Sequence, residues 1–278
     1  MDRTEELAEG AGPFTTKLTW RNADGGIAVW ESRAVRKLGA LTVRAEEDAE
    51  AVRHPADRES LRRLARLNTV AAVAFTTGGT LFALGAAFAL TSSSPTAGVS
   101  IYFAGGLFFN TGGYASLLQA INAPRRRGGS DTLEPVPWRW WSYEPMRIDW
   151  VGTFLLFAGT LVFGVNLLDS FLQGLTSQQT NRLVWAPDVV GCVLFLISGQ
   201  LALAEVNHGR VRLRVHDLGW WIVAVNQLGS VLFMVSALAD FTVPGTGNPV
   251  SAEVGSWGTL TGAVCFAVGG VLQAFEHP

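Results

Sequence analysis

Gly105-Gly106-Leu107-Phe108-Phe109, with Gly112-Gly113 and then Gln119 behind it, is a phrase that the chain repeats. Gly191-Cys192-Val193-Leu194-Phe195, followed by Ser198-Gly199 and Glu205, is the second copy. Gly262-Ala263-Val264-Cys265-Phe266, followed by Gly269-Gly270 and Glu276, is the third. In each copy Phe follows the first Gly by four residues, a second Gly by eight, and an amide or carboxylate by fourteen. At about 100° per residue these offsets fall within roughly 120° of one another, so one helix face reads small, aromatic, small, polar. A shorter form recurs at Gly78 to Phe82, Gly159 to Phe163 and Gly229 to Phe233.

Every copy lies in an apolar stretch. Charge-free runs cover 67–90, 98–121, 150–168, 189–204, 218–239 and 254–275, with Asp188 and Glu205 bounding the fourth at the headgroups. About 20 apolar residues suffice to cross a bilayer. The pattern therefore predicts an all-α polytopic membrane protein with six transmembrane helices. The alternating phrases make it three parallel helical-hairpin repeats, over 67–122, 149–207 and 217–276. The transmembrane domain covers 59–278. The even-numbered helices are expected to meet around a pseudo-threefold centre. The extracytoplasmic loops, 91–97, 176–186 and 243–253, are expected to be short and to build no folded outer domain.

The 278 residues are 49% hydrophobic and 16% charged, but the charge is concentrated in the first 66. Of the 21 Lys and Arg, only Arg182 falls in an odd-numbered loop. The positive-inside rule then puts both termini in the cytoplasm, and the Arg-rich composition suggests a bacterial plasma membrane. Cys192 and Cys265 lie within spans and predict no disulfide framework. No cleavable signal is expected.

Residues 1–58 read as a short cytoplasmic hairpin and helix region. Residues 1–13 are expected to be disordered. Strands 17–20 and 27–30 flank a turn containing Asp24-Gly25, which predicts a β-hairpin carrying Trp20 and Trp30. Arg33, Arg36 and Lys37 form a basic patch suited to anionic lipid, against the alternative of a solvated helical turn. Glu46, Glu47 and Asp48 should stand off a membrane. A helix is expected from Pro55, favoured by Asp57 at its start. Around Trp138-Arg139-Trp140-Trp141, alternating indole and guanidinium suit an interfacial belt.

The paired phrases resemble the YrhK-like family of small bacterial membrane domains, over roughly 60–276 as three hairpin copies. The resemblance implies a multi-span bacterial membrane protein and carries over no catalytic or binding residue.

Small residues let helix backbones approach in lipid, so Gly105, Gly113, Gly191, Gly199, Gly262 and Gly270 are read as helix-packing positions, with a pore lining as the competing reading. Candidate transport positions are the polar residues within or beside spans. They are Gln119, Glu205 and Glu276 at the cytoplasmic boundary, Asp169 and Asp240 at the outer one, and the deeper Asn110, Asn166, Gln200, Asn226 and Gln227. The deep amides are expected to bond across helices, with Asn226-Gln227 as the exception, since adjacent residues cannot share a face. Gln119, Glu205 and Glu276 would form an acidic ring able to hold a cation. Glu205 with His208 is too sparse for a metal site, and no catalytic constellation, phosphate loop or cofactor motif occurs. No cofactor, metal or nucleic-acid partner is expected; the bilayer, a membrane-protein partner or a second copy is. The functional expectation is a noncatalytic structural or partner subunit. The alternative is a small-solute or ion transporter. A continuous polar cavity reaching Asn110, Gln200 or Asn226 would favour the latter, and a dry Gly- and Phe-filled centre the former.

Overall fold

The computed structural model describes residues 6–22, 25–45, 50–91, 95–128 and 130–277. The expectations for residues 1–5, Asp24 and Glu46, Glu47 and Asp48 lie outside the described residues.

The N-terminal region is not a lone hairpin. Five strands form an antiparallel meander in chain order: β1 (Leu7–Ala11), β2 (Phe14–Arg21), β3 (Ile27–Glu31), β4 (Ala40–Arg44) and β5 (Val52–Pro55). The expected β2–β3 hairpin is present, with Trp20 opposite Ala28 and Leu18 opposite Trp30. The disorder expected over 6–13 is replaced by β1, whose mostly small residues pair along β2 through a shift of register at Glu9/Gly10. The all-α expectation is corrected to a mostly helical chain with this sheet. β5 ends at Pro55, where the helix had been expected to begin, so the meander gains a fifth strand. A helix, α1 (Ser32–Leu38), interrupts the meander between β3 and β4. It stops at Gly39, whose φ of 60° places it in the left-handed region that favours glycine. Trp20, Ala28, Val35, Leu41, Val43 and Ala56 fill a small core, which borrows Leu133 from the loop after the second long helix.

α2 (Arg58–Thr91) runs 34 residues without a break. Asp57 starts it, its carboxylate accepting from the Glu59 and Ser60 N–H groups, each at 3.0 Å. There follow α3 (Pro95–Ile121), α4 (Ile148–Asp169), the short α5 (Ser177–Thr180), a π-helical turn (Asn181–Trp185), α6 (Ala186–Val206), α7 (Leu218–Ala239) and α8 (Ala252–Ala274). The segment expected as a short loop, 176–186, is helical from Ser177 onward. Thr176 and Gln179 form a capping box that starts it.

Among the described residues, α2, α4, α5 to α6 taken together, α7 and α8 are long and apolar enough to cross a membrane. Apolar side chains face outward on every long helix, including Val73, Leu107, Leu161, Val193, Val231 and Val264, each more than 40% exposed. In water such a surface would be a liability; in lipid it is the solvent-facing side. Each long helix packs on the one before and after it, and α2 packs on α8, so the six close a ring. The N-terminal sheet docks at one end, against the loops 122–147 and 207–217. The Trp20 indole N–H donates to Asp131 at 2.6 Å, and the Arg126 guanidinium lies 3.6 Å from the Trp20 ring centre.

Candidate functional site: a plugged polar axis

Six phenylalanines meet inside the ring, one from each long helix. Phe82, Phe163 and Phe233 form a triangle with centroids 6.4, 6.1 and 6.2 Å apart. Phe109, Phe195 and Phe266 lie against it, the Phe266 ring 5.5 Å from Phe109 and 6.1 Å from Phe195. The sets join in pairs of adjacent helices: Phe82–Phe109 at 5.3 Å, Phe163–Phe195 at 5.4 Å and Phe233–Phe266 at 5.2 Å. The centre was expected to be where the even helices meet. It is instead built by side chains from all six, because helices in a ring of this size reach the axis only through large residues.

The glycines of the repeated phrase make room for these rings. A Cβ on Gly78 would lie 2.8 Å from the Phe109 ring, and one on Gly105 2.8 Å from Phe82. The same exchange links Gly159 to Phe195 (2.7 Å) and Gly191 to Phe163 (2.5 Å), then Gly229 to Phe266 (3.0 Å) and Gly262 to Phe233 (2.6 Å). The second glycine of each even helix faces the following pair. Gly113 meets Thr160 and Phe157 of α4, Gly199 meets Gln227 of α7, and Gly270 meets Thr76 and Ala72 of α2. Small residues at these six positions therefore set the helix spacing on both flanks.

The rings divide the axis. The void among Phe82, Phe109, Phe163, Phe195 and Phe233 is only about 10 Å³. Beyond the odd-helix triangle lies a cavity of about 260 Å³, which Asn166, Ser170, Thr180, Val184, Trp185, Asp188, Ser236, Asp240 and Thr259 line together with Tyr102. The π-helical turn borders it, and its Val184 carbonyl accepts from the Asn166 amide at 2.7 Å. On the other side of the rings, a cavity of about 110 Å³ runs from Phe195 and Phe266 past Gly199, Ser198 and Asn226 to Asp149, Glu205 and Gln273. Its wall at the sheet end is α1, through Arg33, Arg36 and Lys37.

Those three cations do not face lipid or solvent, as either reading of the basic patch required. The Arg36 guanidinium donates to Glu205 at 2.8 Å, with side chains only 6% and 2% exposed. The Ser32 hydroxyl donates to the other Glu205 oxygen at 2.6 Å. Arg33 grips Glu276 through two bonds, 3.0 and 2.7 Å. The buried Lys37 ammonium donates to Asn68 at 3.0 Å. Burial pulls Lys37 down to about 7, with Glu276 opposing and Arg36 and Arg33 adding to the depression. Burial acts in the same direction on Arg36, but the carboxylates of Glu205, Asp149 and Glu276 together outweigh it and hold the guanidinium above its ordinary value.

The members of the expected ring lie at one end of the bundle, and Glu205 and Glu276 are both paired with cations of α1. Gln119 is fully buried and donates to the Leu64 carbonyl at 3.2 Å, leaving its own oxygen without a hydrogen-bond partner among the described residues. Asn226 and Gln227 resolve their adjacency by parting: Asn226 lies against Gly269 of α8, and Gln227 against Gly199 of α6. Asn110 lies near Gly164 of α4. Among the described residues the oxygens of these three amides have no hydrogen-bond partner, so the expected cross-helix bonding is seen at Asn166 and not at Asn110, while Asn226 and Gln227 are the exception expected of them. Gln200 is exposed on the outer face of α6 and is not central, and Asp169 ends α4. Sequence reading missed Arg33, Arg36, Asn68 and Asp149 as axis residues. The first two had a signal in their spacing of three, which aligns them on one helix face.

No protein-family model, curated protein or solved structure matches the chain.

Proposed function

We propose that the chain is a six-span protein of a bacterial plasma membrane, made of three tandem helical pairs, and that it forms a gated pathway for a small cation. The observation that carries the pathway is the pair of polar cavities on one axis, separated by six phenylalanines. The one nearer the sheet reaches Asn226, but the phenylalanines break its continuity with the other, and a Gly- and Phe-filled centre is what the structural reading expects. Cation preference is supported by the far cavity, where Asp188 and Asp240 face in and no Lys or Arg lines the wall. Carboxylates that face a cavity between transmembrane helices can meet ions or protons there.

The six-span count is supported by the end of the chain. Arg33 pairs with Glu276, so the N-terminal region and the end of α8 share a side. That demands an even number of crossings, and α3, 27 residues without a charge, supplies the sixth. Threefold repetition is supported by the equivalent roles of the Gly–Phe pairs and by the second glycines, each turned to the next pair. Both termini are cytoplasmic in this reading, because the Arg-rich loops lie at the sheet end.

The test is cation leak in proteoliposomes. Phe233→Ala and Phe266→Ala should each raise potassium or proton flux about tenfold over the unmodified protein, because truncation opens the narrowest point. Variants that keep their helicity and elution position yet leak no faster would refute the pathway. The rival reading, a noncatalytic structural or partner subunit, is favoured by one observation, the dry and interlocked centre. It expects unchanged flux together with a co-purifying membrane protein by native mass spectrometry.

A further inference from the structure

We propose that α1 is a tethered stopper, closing the cytoplasmic mouth of the axis by occupying the carboxylates that an incoming cation would meet. The inference rests on the pathway reading for its purpose, but not for its geometry. Glu205 and Glu276 each lie ten residues beyond the axial phenylalanine of their helix, and Gln119 has the same offset from Phe109. Those two acidic positions are filled by guanidinium groups of one seven-residue helix. The third, amide position receives no cation from α1. Lys37 goes instead to Asn68, which in turn donates to the Gln273 and Glu276 carbonyls at 2.9 and 2.6 Å. Cations and carboxylates therefore match one to one where the ring is charged, and no bond is spent where it is neutral.

The chemistry of the contact suits separation. A permanent seal would be made with apolar side chains, since a buried ion pair contributes little more than a well-packed hydrophobic one. Charged groups, unlike apolar ones, regain hydration when they part. The rest of the docking surface mixes polar and apolar contact: Glu9 meets Arg210 at 2.9 Å, Glu31 meets His208 at 3.3 Å and Glu6 meets Arg126 at 2.7 Å, while Leu133 enters the core of the sheet. Glu31 immediately precedes α1, and Gly39 immediately follows it in a left-handed conformation, so the helix is held between β3 and β4 of the sheet. The small sheet and α1 can leave the bundle as one piece.

The experiment uses the full chain carrying Cys192→Ser, Cys265→Ser and Ser198→Cys, the last placing a thiol in the wall of the cytoplasmic cavity. A charged, membrane-impermeant maleimide is added to the cytoplasmic face of sealed vesicles. With α1 intact, labelling is slow. Arg33→Glu with Arg36→Glu accelerates it about tenfold or more, because like charges now face each other, and the milder Arg33→Gln with Arg36→Gln does so to a lesser degree if the reversal impairs folding. Adding Glu205→Arg and Glu276→Arg to the charge reversal makes labelling slow again. Equal rates in the intact and substituted proteins, or a charge swap that leaves labelling fast, would overturn the stopper. Potassium flux in the same variants is the separate readout. Faster labelling without faster flux keeps the stopper and discards the pathway; faster flux at unchanged labelling does the reverse.

Discussion

Gly262 and Lys37 represent the two ways a single residue matters here. At Gly262 any side chain meets the Phe233 ring and, at 3.0 Å, the Gly229 carbonyl on the facing helix. Backbone cannot yield as a side-chain tip can, so Gly262→Val should cost about 1–3 kcal/mol. A thermal-unfolding shift in detergent would read this, with Gly98→Val as the control, since nothing lies within 4 Å of a Cβ there. Equal midpoints for the two variants would refute the packing role. Lys37 matters through its charge. Its docked value near 7 lies below its ordinary 10.5, so between these the undocked state binds more protons. Stability of docking therefore rises as pH goes up from about 7 toward 10, and below 7 the full cost of a buried ammonium is present. The groups around it are Arg33 and Arg36 on α1, Glu205 on α6 and Glu276 after α8. Protease resistance of the sheet region should increase from pH 6.5 to 9 in the unmodified chain. Lys37→Met should flatten that part of the profile, and an unaltered slope would assign the titration elsewhere.

At the scale of elements, α1 and α6 are coupled through Arg36 and Glu205. Removing one partner strands the other in a buried place, so Arg36→Ala should destabilise by about 3–5 kcal/mol, while Arg36→Ala with Glu205→Ala should recover much of the loss. A double-mutant cycle in urea measures the difference. Additive losses would mean that the pair contributes nothing beyond its separate atoms. This contact also marks where sequence reading stopped. The long helices were legible because each is a charge-free run of about 20 residues, and a membrane-facing surface imposes that composition directly. The packing glycines were legible for a similar reason, since a fixed Gly-to-Phe offset fixes a face. Beyond its β2–β3 hairpin the sheet was not, because β1 and β5 are short and largely exposed, and their pairing is decided by neighbours in space and not by alternation. Nor could the sequence tell a headgroup carboxylate from a buried one at Glu205, because the distinction lies in which cation, 169 residues away, is folded against it.

For the whole molecule, the ring and the ion pairs at its end make one demand on topology. If α2, α4, α6, α7 and α8 alone crossed the bilayer, the Arg-rich sheet end would have to straddle both faces. Arg33 could not reach Glu276, and Trp20 and Arg126 could not share a contact with α3 folded back on one side. With α3 crossing as well, three pairs return the chain to the same face each time, and residues 131, 212 and 277 all lie there. Residues 178 and 247 lie at the other end, where Asn181 donates to the Thr242 carbonyl at 2.7 Å and accepts from its N–H at 2.9 Å. Single-cysteine variants Thr132→Cys, Arg212→Cys, Gln178→Cys and Gly247→Cys, in a background without Cys192 and Cys265, convert this into a labelling pattern. An impermeant maleimide added outside intact cells should reach positions 178 and 247, and positions 132 and 212 only after the membrane is opened. Labelling of 132 from outside, with 212 still protected, would mean that the first pair does not return to the cytoplasm.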